Sequence, residues 1–188
     1  MPDDVTANEA ARELLGYALF PTENSPATTY LLVDAARDSA IYSRLRDFAA
    51  TEEIVPLYQG DAAEEMAAVA PYLVRLEGVG SPVLSWLWYE GWGRAWGIFL
   101  RGPTEIESVR GHLRRLTNAR VEGGDVVLFR FYDPRVASVF LSTCDAEQAS
   151  TFFGPLESVL MESADGTTLE EFTPADGEVL IFRSALFD

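Results

Sequence analysis

The sequence predicts an α/β fold, a single domain with a central mixed β-sheet flanked by helices, and three observations predict it. Strand-like and helix-like segments alternate through most of the chain, the pattern of helices layered on a sheet. Hydrophobic residues make up 48% of 188 positions and aromatics 12%, enough for one domain with a real core. One run, Val126–Tyr132, reads Val-Val-Leu-Phe-Arg-Phe-Tyr between turn signals, as a strand buried on both faces would. The predicted organisation is an N-terminal helix and loop over 1–27, the α/β body over 28–162 and a short β extension over 163–188.

Thr6-Ala7-Asn8-Glu9 has the pattern of a capping box, with Ala10, Ala11, Leu14 and Leu15 behind it in a short amphipathic helix. Phe20–Ala27, with two prolines, is a loop, and Thr28–Val33 a strand ending at Asp34. Ile41, Leu45 and Phe48 keep helical spacing across Asp38–Ala49. A strand over Ile54–Tyr58, a helix over Glu64–Ala70 and a strand over Tyr72–Leu76 follow. Ser81-Pro82 is a favoured helix start, opening the largely apolar helix Val83–Glu90. Glycines 91, 93 and 97 punctuate the turn into a strand at Ala95–Leu100. Thr104–Glu107 forms the next predicted capping box, before a helix whose inner stripe is Ile106, Val109, Leu113 and Leu116.

Gly123-Gly124-Asp125 makes a turn, and the run Val126–Tyr132 that follows is the predicted central strand. Arg130 is a guanidinium in an apolar row, so it needs a carboxylate partner, with Asp133 and the acids of neighbouring strands as candidates. Pro134 has no amide hydrogen and ends the ladder, while Asp133 caps a short helix around Val136, Val139 and Phe140. Asp145 with Gln148 caps another helix, closed at Gly154-Pro155. Glu157–Glu162, Leu169–Phe172 and Val179–Phe182 read as strands.

The formal net charge is −16, which disfavours general nucleic-acid binding. All 14 basic residues are arginine, and eight of them lie between positions 94 and 135 among five acids, a basic island in an acidic chain. No apolar run reaches the ~18 residues that a membrane span needs. The acidic start and the single cysteine point to a reducing, cytoplasmic setting.

No catalytic set is visible. His112 and Cys144 are each alone of their kind, and a lone cysteine is more often a small core residue than a nucleophile. A single histidine makes a metal cluster improbable. Gly91-Trp92-Gly93-Arg94-Ala95-Trp96-Gly97 imitates a dinucleotide fingerprint, but its last spacing is one too long and it precedes a strand. No cofactor is expected. All four tryptophans (Trp86, Trp88, Trp92 and Trp96) fall within eleven residues, either as a core corner or as a partner-binding surface.

Several pieces, in order, resemble the adaptor chaperones of type VI secretion effectors, a family long catalogued as a domain of unknown function. They are Tyr30–Ala35, Ala70–Leu73, Gly91-Trp92-Gly93 with Trp96–Leu100, His112–Leu116, Phe129–Val136 and Phe152–Pro155. The resemblance implies a non-enzymatic cytosolic carrier that binds a secreted toxic effector and helps mount it on the VgrG-type spike, with neither nucleic acid nor membrane as a partner. The alternative class is an immunity protein, for which the −16 charge would suit covering a basic toxin; an enzyme using Cys144 is a third. The expected contact region is the exposed edge of the tryptophan cluster (Trp86, Trp92) with Arg94, Arg101, Arg110, Arg114 and Arg115. Internal pairing is the competing expectation for Arg94 and Arg101, whereas Arg110, Arg114 and Arg115 should point outward. Arg130, Asp133 and Pro134 are expected to be structural.

Overall fold

A computed structural model describes residues 3–21, 27–120 and 124–187. The elements are helices α1 (Asp3–Leu19), α2 (Ser39–Phe48), α3 (Asp61–Glu65), α4 (Pro82–Trp86), α5 (Ile106–Leu116), α6 (Pro134–Thr143) and α7 (Ala146–Phe153). The strands are β1 (Thr28–Asp34), β2 (Ile54–Pro56), β3 (Pro71–Leu76), β4 (Gly97–Gly102), β5 (Asn118–Arg120), β6 (Val126–Leu128), β7 (Ser158–Glu162), β8 (Thr168–Ala175) and β9 (Glu178–Ala185). Most of the Phe20–Ala27 loop and the turn at Gly123 lie outside the described residues.

Seven strands form one sheet in the order β2-β3-β1-β4-β7-β8-β9, and helices cover both of its faces. The single α/β domain expected from the alternation of elements is what the chain forms. Among the described residues every pair in this sheet is antiparallel, so it has none of the parallel pairs that a mixed sheet would contain. Thr29–Asp34 is buried throughout, because alternate residues of β1 serve two cores. Leu31 and Val33 join Leu15 of α1, Ile41 of α2 and Val83 of α4 on one face. Tyr30 and Leu32 join Leu113 of α5, Leu141 of α6 and Phe152 of α7 on the other. Strands buried on both faces read as unbroken apolar runs whatever their direction.

β4 stands fourth of seven, beside β1, and Gly97 permits that contact. A Cβ at Gly97 would lie 2.2 Å from the carbonyl oxygen of Leu32. The predicted central strand is therefore misplaced. Among the described residues Val126–Leu128 pairs only with β5, in a separate two-stranded ribbon, and Val127 and Leu128 are 41% and 56% exposed. The chain then turns inward, burying Phe131 and Tyr132 in the turn before α6. Phe131 meets Phe129 and Phe152 at 5.9 Å between ring centroids, and Phe129 meets Phe140 at 5.0 Å. The apolarity of the run thus packs helices and not a ladder, a distinction that hydrophobic pattern alone does not make.

Local helix starts follow the sequence in three places. Ser81 Oγ accepts from Leu84 N at 3.3 Å, Asp133 Oδ1 from Arg135 N at 3.0 Å, and Asp145 with Gln148 forms a full capping box. Two expected boxes are not formed as such. α1 is already helical at Asp3, so Thr6–Glu9 lies within it. α5 begins after Glu105 with no side-chain cap, and the Thr104 carbonyl is held by Tyr30 Oη at 2.9 Å and by Arg75 Nη2. The predicted helix Val83–Glu90 is α4 continued by a π-helical turn, Leu87–Gly91.

Candidate functional site

The tryptophan segment folds mainly as a core corner. Trp86, Trp88 and Trp96 are buried, with the rings of Trp86 and Trp96 5.3 Å apart and those of Trp88 and Trp92 5.2 Å apart. Trp86 therefore does not sit at an exposed edge, contrary to expectation. Trp92 is half-buried and its Nε1 donates to the Gly166 carbonyl at 2.8 Å. Tyr89 is the exposed aromatic of the segment.

The arginines divide differently from the expected pattern. Arg101 is internal, as its place in a strand suggested: it pairs with Glu171 at 2.9 Å and donates to the Ala18 carbonyl at 2.9 Å. Arg110 is internal too, although the helical stripe placed it outside. Its side chain is 13% exposed, Nε donates to the Pro56 carbonyl at 2.7 Å, and Nη2 donates to the Tyr58 carbonyl at 3.1 Å. These carbonyls lie at and just past the end of β2, and a long guanidinium side chain reaches them from α5. Arg114 and Arg115 are exposed as expected; Arg114 donates to Gln59 Oε1, and Arg115 makes no ion pair among the described residues. Arg94 is exposed, 5.8 Å from the centroid of the Trp96 ring, also without an ion pair among the described residues.

Three ionic pieces meet at one end of the sheet. At the end of β1, Asp34 accepts from Ala36 N at 3.0 Å and from Arg130 Nη2. Arg130 is thus paired as predicted, though to Asp34 rather than Asp133, and its side chain is 41% exposed rather than buried in a strand. Asp34 holds the Arg130 guanidinium above its usual pKa. At the start of α6, Asp133 accepts from Arg135 Nε at 2.9 Å and Nη2 at 2.6 Å. Burial pushes the Asp133 carboxyl up, but the bonds from Arg135 outweigh it and leave the carboxyl below its ordinary range. At the end of β7, Glu162 accepts from Ala95 N at 2.6 Å and from Gly93 N. Burial raises the Glu162 carboxyl above its ordinary value, against the pull of these two amides and of Arg37. Ala95 has φ 54°, a left-handed conformation that a residue with a Cβ rarely adopts, and the Glu162 clamp maintains it.

Between these pieces lies an open cleft of about 430 Å³, lined by Arg37, Arg94 and Arg135 together with Glu162, Pro134 and Val139. Arg37 Nη2 donates to the Arg94 carbonyl at 3.1 Å, tying the turn after β1 to the Gly91–Gly97 loop. Sequence reasoning picked out Arg94, Asp133 and Pro134 but missed Arg37 and Arg135 as neighbours. The available signal was Asp133-Pro134-Arg135, a corner that caps α6 and places Arg135 on the cleft at the same time. His112 and Cys144 are each satisfied locally: His112 Nε2 donates to the Phe152 carbonyl at 2.7 Å, and Cys144 Sγ lies 3.7 Å from the Leu141 carbonyl. Among the described residues no group of His, Cys, Asp and Glu could hold a metal ion, and no helix is long and apolar enough to cross a membrane.

The family model described as a domain of unknown function, DUF4123, matches residues 29–151, from β1 into α7. The chain belongs to that family, which is associated with type VI secretion adaptors. Searches of the curated proteins and of the solved structures found no match.

Proposed function

We propose that this protein is a non-enzymatic adaptor chaperone that binds a secreted toxic effector of the type VI system in the cytoplasm and helps load it on the VgrG-type spike. The observation that carries the reading is the family match over residues 29–151. The chemistry of the described residues supports it. Burial pushes the Cys144 thiol up, away from the thiolate that a nucleophile needs, and the one histidine is engaged with a backbone carbonyl. The cleft lined by Arg37, Arg94 and Arg135 supplies a local positive field inside an acidic molecule, which favours steering of a complementary partner.

The test is deletion of the protein in its host, followed by assay of effector release, capture of the spike and activity of the co-purified effector. The expected result is that effector release stops without the protein, that the effector and spike co-purify with it, and that the effector still kills after delivery. Abolition of toxin activity in a purified mixture, with release unchanged in the deletion strain, would establish an immunity protein instead.

A further inference from the structure

We infer that the cleft between the Gly91–Gly97 loop and α6 is a receptor for a short peptide segment that presents a carboxylate beside an apolar residue. This deepens the adaptor reading and rests on it for the source of the segment, which is the client effector. The argument is a count of donors and acceptors. Glu162, the carboxylate in the lining, and Asp133, next to the lining Pro134, are already engaged at all four oxygens: Glu162 by Gly93 N and Ala95 N, and Asp133 by Arg135 N, Nε and Nη2. The guanidinium groups are far from used up. Arg37 spends only Nη2, on the Arg94 carbonyl, and its Nε is buried without a partner among the described residues. Among the described residues, Arg94 stacks on Trp96 and donates no side-chain hydrogen bond, and Nη1 of Arg135 has no partner.

Each guanidinium offers five N–H donors and no acceptor, so the open cleft has a surplus of donors that water can satisfy in the free protein and that an acceptor-bearing ligand can take over. Carboxylate is the natural one, taken as a fork by arginine in charge-assisted bonds. Two further observations select a peptide over a free anion or a nucleic acid. Val139, 67% exposed, forms part of the wall and offers an apolar contact that inorganic phosphate cannot use. Three arginines, Arg37, Arg94 and Arg135, line this cleft in a chain of net charge −16; the chain as a whole repels a long polyanion, while the cleft admits one or two carboxylates. A volume of about 430 Å³ admits a few residues of extended chain and not a folded domain.

The probes are a labelled peptide alternating leucine and glutamate, its leucine–glutamine analogue and inorganic phosphate, titrated against the whole protein by fluorescence anisotropy. The substitutions are Arg94→Glu and Val139→Asp, both at exposed side chains, with the thermal midpoint checked for each. The glutamate peptide should bind, more weakly as salt is raised. Each substitution should weaken it tenfold or more with the midpoint unchanged, and the glutamine analogue should not bind. If the glutamine analogue binds equally well, or neither substitution matters, the inference is overturned. It is also overturned if phosphate displaces the peptide at equal concentration and Val139→Asp has no effect, which would make the cleft a plain anion site. The double variant separates this inference from the adaptor reading. An effector that co-purifies equally with the wild type and the double variant would leave the adaptor standing and remove the cleft; an effector released normally without the protein would remove the adaptor, while the peptide titration still decides the cleft.

Discussion

Arg110 and Arg115 sit five positions apart on one helix and do opposite things. Arg110 donates to two backbone carbonyls, of Pro56 at the end of β2 and of Tyr58 just after it, and Arg115 stands in solvent. Arg110→Ala should lower stability by about 1.5–3 kcal/mol, since it removes two hydrogen bonds that a charged group makes to backbone carbonyls. Arg115→Ala should change it by within about 0.5 kcal/mol. Urea unfolding of the two variants checks this; equal midpoints would mean that the Arg110 bonds contribute nothing. His112 carries a second residue-scale prediction. Burial lowers its pKa below the ordinary 6.5, against the bond to the Phe152 carbonyl, and Arg115 adds to the lowering. The folded state then binds the proton less readily than the unfolded chain. The stability it contributes is complete above pH 6.5 and is lost as pH falls through its lower folded-state value. Because it is the sole histidine, one ring resonance reports it, and the NMR titration midpoint should fall below 6.5. A midpoint at or above that value would contradict the burial account.

The elements that were legible are those whose causes are local. A cap needs residues within three positions of one another, so Ser81, Asp133 and Asp145 could be read directly and all three cap as expected. Asp133→Ala should cost about 0.5–2 kcal/mol of stability, because it removes the cap of α6 and strands the fork on Arg135. A shift in the urea midpoint of the variant is the measurement, and an unchanged midpoint would deny the cap a role. The Thr104 box failed for a tertiary reason: Tyr30 and Arg75 hold the Thr104 carbonyl, and the helix starts one residue later. Val126–Tyr132 failed because aromatic residues packing under α6 and α7 make the same apolar signature as a buried strand. The cleft was the least legible part. Arg37, Arg94 and Arg135 come from three distant segments, and only the sheet, by bringing the ends of β1 and β7 beside the start of β4, sets them round one space.

At the scale of the whole molecule, the excess of acid over base dominates behaviour in solution. A net charge of −16 repels itself in the compact state, and added salt shortens the reach of that repulsion from about 30 Å at 0.01 M to about 3 Å at 1 M. The thermal midpoint should therefore rise with sodium chloride across that range, as dye-monitored melting would show. A fall would mean that pairs such as Arg101–Glu171 and Arg130–Asp34 outweigh the general repulsion. One contact also bears on when the molecule becomes competent. Gly93 and Ala95 are fixed by a glutamate 69 and 67 positions further along the chain. At a synthesis rate of about 5–20 residues per second, Arg94 leaves the ribosome's active centre roughly 3–14 s before Glu162 is added. The loop has no clamp in that interval, so the cleft between the Gly91–Gly97 loop and α6 lacks one wall until β7 is in place, and whatever docks there has to wait for the finished sheet.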